Sequence, residues 1–311
     1  MRGWELLGAL ARRFGWFVFT FWAVYTLSFL LMKLSPGGPF MGEKKLPEEI
    51  RRNLDEFYNL NAPMHEQYVT TLSKIVFQLN FGPAQRLKDY TVNEIIAEGL
   101  PVSFSLGIIS LTLALAIGTT AGVVSAVNRN SLYDYSFMGL ATLGIAVPNF
   151  VLASLAIIVF CFAIPILPAA GWGRVNQVIL PACCLAAPYA AYIARLTRAG
   201  MLEVLNLDYV RTAYAKGLAP RTVIVKHALR GAILPVVSYI GPAAAGILTG
   251  SLVIERIFNV PGFGSHFIDA ALQRDFPVAM GAVLVYTTLL YVMNTLVDLS
   301  YSVIDPRVKL E

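Results

Sequence analysis

Six apolar blocks, each close to the length a helix needs to cross a bilayer, constrain this chain more than any other feature of its sequence. The hydrocarbon core takes about 20 apolar residues in a helix. The blocks run over Phe14–Met32, Val102–Val127, Tyr135–Ile164, Val178–Ala194, Ala232–Ile254 and Val278–Tyr301. Only 14% of the 311 residues are charged, against roughly 25% in a soluble chain. The expected fold is therefore all-α and polytopic, with about six transmembrane helices. A signal peptide would carry a shorter apolar stretch, roughly 7–15 residues, and a small-residue cleavage site. The first block ends instead in Lys33-Leu34-Ser35-Pro36, which reads as a retained anchor. The fourth block is short and weak because Pro181 and Pro188 interrupt it.

Lysine and arginine in the short loops set the orientation. With six crossings, both termini and the loops at 128–134 and 195–231 share one side. That side carries Arg2, Arg12, Arg13, Arg129, Arg195, Arg198, Arg211, Lys216, Arg221, Lys226, Arg230, Arg307 and Lys309. The short loops opposite carry Arg174, Arg256 and Arg274. Both termini are expected in the cytoplasm. The segment from Ser35 to Glu98 holds seven basic and nine acidic residues, but segments of that length cross largely regardless of charge. It is expected outside and structured, with apolar residues at helical spacing: Leu54, Phe57 and Tyr58, then Tyr68, Leu72, Ile75, Val76 and Leu79.

Three mid-span prolines, Pro148, Pro188 and Pro242, each remove a backbone hydrogen bond and are expected to kink their helices. Gly118 with Gly122, and Gly246 with Gly250, form GxxxG pairs that let helices approach closely. Asp298, near the cytoplasmic end of the last span, is the main ionisable residue inside a span. An intramembrane carboxylate raises a functional hypothesis, yet hydration or a basic partner near the interface explains it more simply. No GxxxxGK[ST] phosphate loop occurs, and no inverted repeat suggests a secondary transporter. The energy source is therefore expected in another chain. Cys161, Cys183 and Cys184 lie in apolar blocks without metal-binding spacing, and His65, His227 and His266 lie far apart. No metal site and no catalytic residue is expected. The adjacent Ser265 and His266 do not make a nucleophile–base pair, which is defined by spatial geometry.

The loop at 200–231 carries the most information. Asn206 or Asp208 can cap a short helix running to about Lys216. Gly217 suits the left-handed position that ends a helix, and Pro220 suits the first turn of the next. Ala213, Ala215 and Gly217 leave room for a close partner, amid positive charge from Arg211, Lys216 and Arg221. A solvated helix lying on anionic headgroups is the plainer alternative.

The run from Asp208 to Leu218 (DYVRTAYAKGL), followed by His227 to Pro235 (HALRGAILP), resembles the EAA loop of ABC importer permeases in its dipeptide, oligopeptide and nickel branch. Aligning the motif glycine with Gly217 puts Arg211 where a glutamate is usual and matches Ala213 to an alanine. Gly231 replaces the usual asparagine. The similarity extends over nearly the whole chain. It includes Leu34–Pro39, Leu60–Tyr68, Phe258–Gly264, Arg274–Pro277 and Asp298–Arg307, in the family's order.

That resemblance implies a type I importer permease core. It divides the chain into a leader with the first span (1–34), an external segment (35–98) and a five-helix core (99–311). It implies half a translocation pathway, completed by a second permease or a second copy. Two cytoplasmic ATPases binding ATP and magnesium would drive it, and an extracytoplasmic binding protein would deliver the substrate, with no cofactor in this chain and no nucleic acid. The loop becomes a coupling helix, with Arg211, Ala213, Tyr214, Lys216, Gly217 and Leu218 as candidate contacts to the ATPase and Ala213, Tyr214, Gly217 and Leu218 foremost. Di- and oligopeptides are the default cargo, with nickel, opines and sugars as alternatives. A lone secondary transporter, a membrane enzyme and an exporter pore are the rival classes.

Overall fold

The computed structural model describes residues 3–34, 61–86 and 90–304. The helices are α1 (Gly3–Leu34), α2 (Met64–Gln78), α3 (Val92–Val127), α4 (Leu132–Ala146), α5 (Asn149–Ala163), α6 (Val175–Val204), α7 (Asp208–Ala215), α8 (Pro220–Ala232), α9 (Leu234–Gly250), α10 (Leu252–Ile257), α11 (Phe263–Gln273) and α12 (Phe276–Ile304). The elements Ser35–Pro39 and the ends of Leu60–Tyr68 and Asp298–Arg307 lie outside the described residues, as do Arg2, Leu54, Phe57, Tyr58, Arg307 and Lys309.

Ala11–Leu34, Val92–Val127, Val175–Val204 and Phe276–Asp298 are each long and apolar enough to cross a membrane. The two remaining apolar blocks are bent pairs, α4 with α5 at 109° and α8 with α9 at 58°. The count of six is kept only if each pair is one span. Pro148 therefore breaks its helix where a kink was expected. Val147 before it is extended (ψ 124°), as the residue preceding a proline prefers. The Pro148 carbonyl then starts α5 by accepting the N–H groups of Val151 and Leu152. The second bend falls at Ile233, next to Pro235 in the first turn of α9, whereas α9 continues through Pro242.

The fourth block, the least apolar of the four long helices, is not short. α6 runs for 30 residues through both Pro181 and Pro188. Of its most apolar stretch 56% is buried, against 11% for α1. Its small residues explain why: Ala182, Ala186, Ala190 and Ala194, four apart along one face, are all buried and let neighbouring helices close in.

The described residues of Met1–Pro101 and Gly262–Val292 form one compact unit, and those of Val102–Pro261 and Met293–Lys309 a second. In the first, Tyr25 and Phe29 of α1 pack with Ile75 of α2 and with Met280 and Leu284 of α12. The Tyr25 hydroxyl donates to the Tyr68 carbonyl at 2.8 Å, and the Tyr68 hydroxyl meets that of Thr26 at 2.8 Å. Lys33 donates to Gln67. Gln67 and Tyr68, the end of one family-like element, thus hold α2 to α1. The expected apolar face is real for Tyr68, Leu72 and Ile75, while Val76 and Leu79 are exposed. Phe14, Trp16, Phe19, Trp22, Leu27 and Leu31 remain exposed along α1, as on a lipid-facing helix.

Asp275 organises the other end of this unit. Its carboxylate accepts the N–H groups of Gln85 (3.0 Å) and Arg86 (2.9 Å) and, at 3.3 Å, that of Val278 in the first turn of α12. Arg274 before it ends α11 in the left-handed region (φ 59°). The Arg274–Pro277 element is thus a helix stop followed by a helix start.

In the second unit α6 is the spine. A Cβ on Gly118 would sit 2.6 Å from the Ala190 carbonyl, and one on Gly122 would sit 2.5 Å from Thr197. The first GxxxG pair therefore seats α3 on α6. Gly246 of the other pair meets the Tyr189 hydroxyl, also on α6. The side-chain surroundings of Gly250 lie outside the described residues.

Candidate functional site

The chain between α6 and α9 is built from local backbone chemistry. α7 begins after Leu207, so neither Asn206 nor Asp208 is its N-cap. Asn206 donates to the Leu202 carbonyl at the end of α6. Asp208 stands in the first turn of α7, where a negative charge favours the helix dipole, and lies 3.8 Å from Arg211. At the other end the Gly217 N–H bonds to Tyr214 (2.9 Å) and the Leu218 N–H to Ala213 (3.4 Å). With Gly217 at φ +78°, these two bonds make a Schellman cap. Pro220 occupies the first position of α8.

α7 has two faces. Val210 and Ala213 are buried in a cluster with Ala126 of α3, Met201 and Val204 of α6, and Val223, Ala228 and Ala232 of α8. Ala213 is thus part of the chain's own core, which removes its side chain from the candidate partner contacts. Arg211, Tyr214, Lys216, Gly217 and Leu218 are all exposed, as are Ala215, Arg221, Lys226 and Arg230. The result is a basic surface around an aromatic and a leucine, mounted on an apolar anchor.

That anchor is stiff. A Cβ on Gly200 would come within 2.4 Å of the Ala232 carbonyl, so the backbones of α6 and α8 are in contact. Gly231, the departure from the family-like pattern, faces the Tyr209 hydroxyl, which a Cβ would approach to 3.0 Å.

Behind the loop lies a polar group that sequence reasoning missed. Asp134, 2% exposed, receives Arg198 as a two-pronged ion pair, Nε to Oδ1 at 2.7 Å and Nη2 to Oδ2 at 2.8 Å. Ser125 of α3 donates to the same carboxylate, and so does the Asn130 N–H at 2.9 Å. Arg198 looked like one more loop cation, and its partner lies 64 residues away in sequence. Glu255 of α10 is a second buried carboxylate, fully enclosed and bonded by Ser251. Asp298 is half-buried and is not without a partner. The Ser265 hydroxyl donates to the Gly262 carbonyl at 2.8 Å.

A bundle of membrane helices packed through glycine and alanine, with one rigid loop presenting a basic face, is the build of a transporter's membrane subunit. The sequence profile of the "Binding-protein-dependent transport system inner membrane component" family matches residues 118–310, and the chain belongs to that family. It is 44% identical to the dipeptide transport system permease protein DppB of Bacillus subtilis, over 97% of each chain. It is 43% identical to the oligopeptide transport system permease protein OppB of Salmonella typhimurium, over 93% of this chain and 95% of that one. Among solved structures, the MetNI methionine ABC transporter in inward-facing form aligns with a TM-score of 0.55 and 16% identity. That alignment covers 68% of this chain and 96% of that one. A second crystal form gives 0.52 over 66% and 95%. This likeness concerns the fold, which is that of a type I importer permease. The protein is a multi-pass permease component of a binding-protein-dependent transport system.

Proposed function

We propose that this permease forms half of the pathway of an ATP-driven importer of di- or oligopeptides, and that α7 with Gly217 and Leu218 seats against a cytoplasmic ATPase. The observation that carries the reading is the two-faced loop helix. Val210 and Ala213 lock it to α3, α6 and α8, while Tyr214, Lys216 and Leu218 stay exposed. A surface fixed this way can pass a push into the spans as a rigid body. ATP and magnesium belong to the two partner ATPases. A second permease, or a second copy of this chain, completes the pathway. A binding protein docks on the external segment 35–98, and both termini lie in the cytoplasm. Peptide cargo follows the relatives named as dipeptide and oligopeptide permeases, over nearly their full length.

The test is a reconstituted complex with ATPases and binding protein, carrying Gly217→Trp. The variant is expected to insert and assemble but to hydrolyse ATP without substrate-stimulated uptake. Normal substrate-stimulated ATPase activity and normal uptake would sink the coupling reading. No uptake of labelled tripeptide, with labelled nickel, an opine or a sugar taken up instead, would remove the peptide reading and leave the coupling one standing.

A further inference from the structure

We propose that the Asp134–Arg198 pair is a positioning element for energy coupling, which holds the α3–α4 hairpin in register with the loop-bearing end of α6. The proposal rests on the coupling-loop reading above. Its geometry is unusually complete. Oδ1 takes the Ser125 hydroxyl and Arg198 Nε, and Oδ2 takes Arg198 Nη2 and the Asn130 N–H, so every acceptor position of the carboxylate is used. Three helices meet at this one group, since Ser125 lies on α3, Asp134 in the first turn of α4 and Arg198 on α6.

Its place in the fold links it to the loop. Ser125 is followed by Ala126, which packs in the same buried cluster as Val210 and Ala213 of α7. Arg198 is followed, two residues on, by Gly200, whose backbone touches Ala232 of α8. A displacement of α7 therefore reaches α3 through apolar packing and α4 through the ion pair. Alanine and glycine contacts, such as Gly144 against Ala191, let α4 lie close to α6 but resist sliding poorly. The guanidinium fork supplies what they lack, because it is planar and fixes both distance and angle. Replacing such a pair as a whole can be nearly neutral, but removing one partner leaves an uncompensated buried charge and is destabilising. Loss of assembled complex is therefore expected with either single variant, and the ratio of uptake to hydrolysis in the complex that does assemble is what reports on coupling.

The experiment uses the assembled complex in proteoliposomes with its binding protein and ATPases, and measures peptide taken up per ATP hydrolysed. Asp134→Asn keeps the shape but sets an amide donor against donors. Arg198→Lys keeps the charge but reaches only one oxygen. Expected is a fall in uptake per ATP of about tenfold for Asp134→Asn and about threefold for Arg198→Lys, with basal ATP hydrolysis within about twofold. A purely structural role would reduce assembled complex, uptake and hydrolysis together and leave the ratio unchanged, and that result overturns the proposal. Should Asp134→Asn fail to assemble, the ratio for Arg198→Lys decides in the same way. Crosslinking of Tyr214→Cys to the ATPase, in an otherwise unaltered chain, separates the two readings. A crosslink with an unchanged ratio in both variants removes the brace alone, whereas no crosslink removes the loop reading and the brace with it.

Discussion

At Gly217 the backbone turns into the left-handed region, φ +78°, with nothing within 4 Å of where a Cβ would stand. The position is thus governed by backbone energy and not by crowding within the chain. An alanine there pays the left-handed penalty of about 1 kcal/mol, while asparagine, which tolerates that region, pays less. We expect Gly217→Ala to lower the midpoint of thermal unfolding of the detergent-purified chain and Gly217→Asn to change it less. Equal midpoints for the two would show that the Schellman cap does not form. Gly200 is the opposite case, since space is absent and any side chain meets the Ala232 carbonyl. Asp275 works through hydrogen bonds. Replacing it with alanine removes a helix cap and leaves two further N–H groups of the 85–86 segment without their acceptor. The expected cost is about 2 kcal/mol, seen as a lower unfolding midpoint and faster proteolysis near residue 86.

Among the elements, α7 shows how a short helix gains a fixed orientation. Eight residues are too few to be stable alone, so tertiary burial of Val210 and Ala213 must hold it. Ala213→Leu overfills that cluster and should destabilise by about 1–3 kcal/mol. Ala215→Leu, on the exposed face, should leave the unfolding midpoint unchanged while weakening recovery of the complex with the ATPase. If both variants unfold alike, the assignment of faces is wrong. The prolines carry a related lesson. Pro148 and Pro235 stand at breaks, whereas Pro181, Pro188 and Pro242 sit inside helices that run on. Each proline deletes one N–H, and the packing around it decides whether the helix stops.

For the whole molecule, the cations Arg129, Arg195, Arg211, Lys216, Arg221, Lys226 and Arg230 are exposed and keep the charge bias on which the proposed orientation rests, even though Arg198 is paired with Asp134. In a variant lacking Cys161, Cys183 and Cys184, Arg174→Cys should react with a membrane-impermeant maleimide added to intact cells, and Arg129→Cys should react only after lysis. The reverse pattern would invert the topology. The sequence by itself determined the solvent, the order of the apolar blocks and the helix–turn–helix around Gly217 and Pro220, because each depends on composition or on neighbours a few residues apart. Only the tertiary structure decided that the third block breaks by 109°, that α6 is the buried spine, that Ala213 turns inward and that Arg198 meets Asp134. Those outcomes depend on which surfaces meet in space, and residues 64 positions apart leave no trace of their pairing in either local pattern.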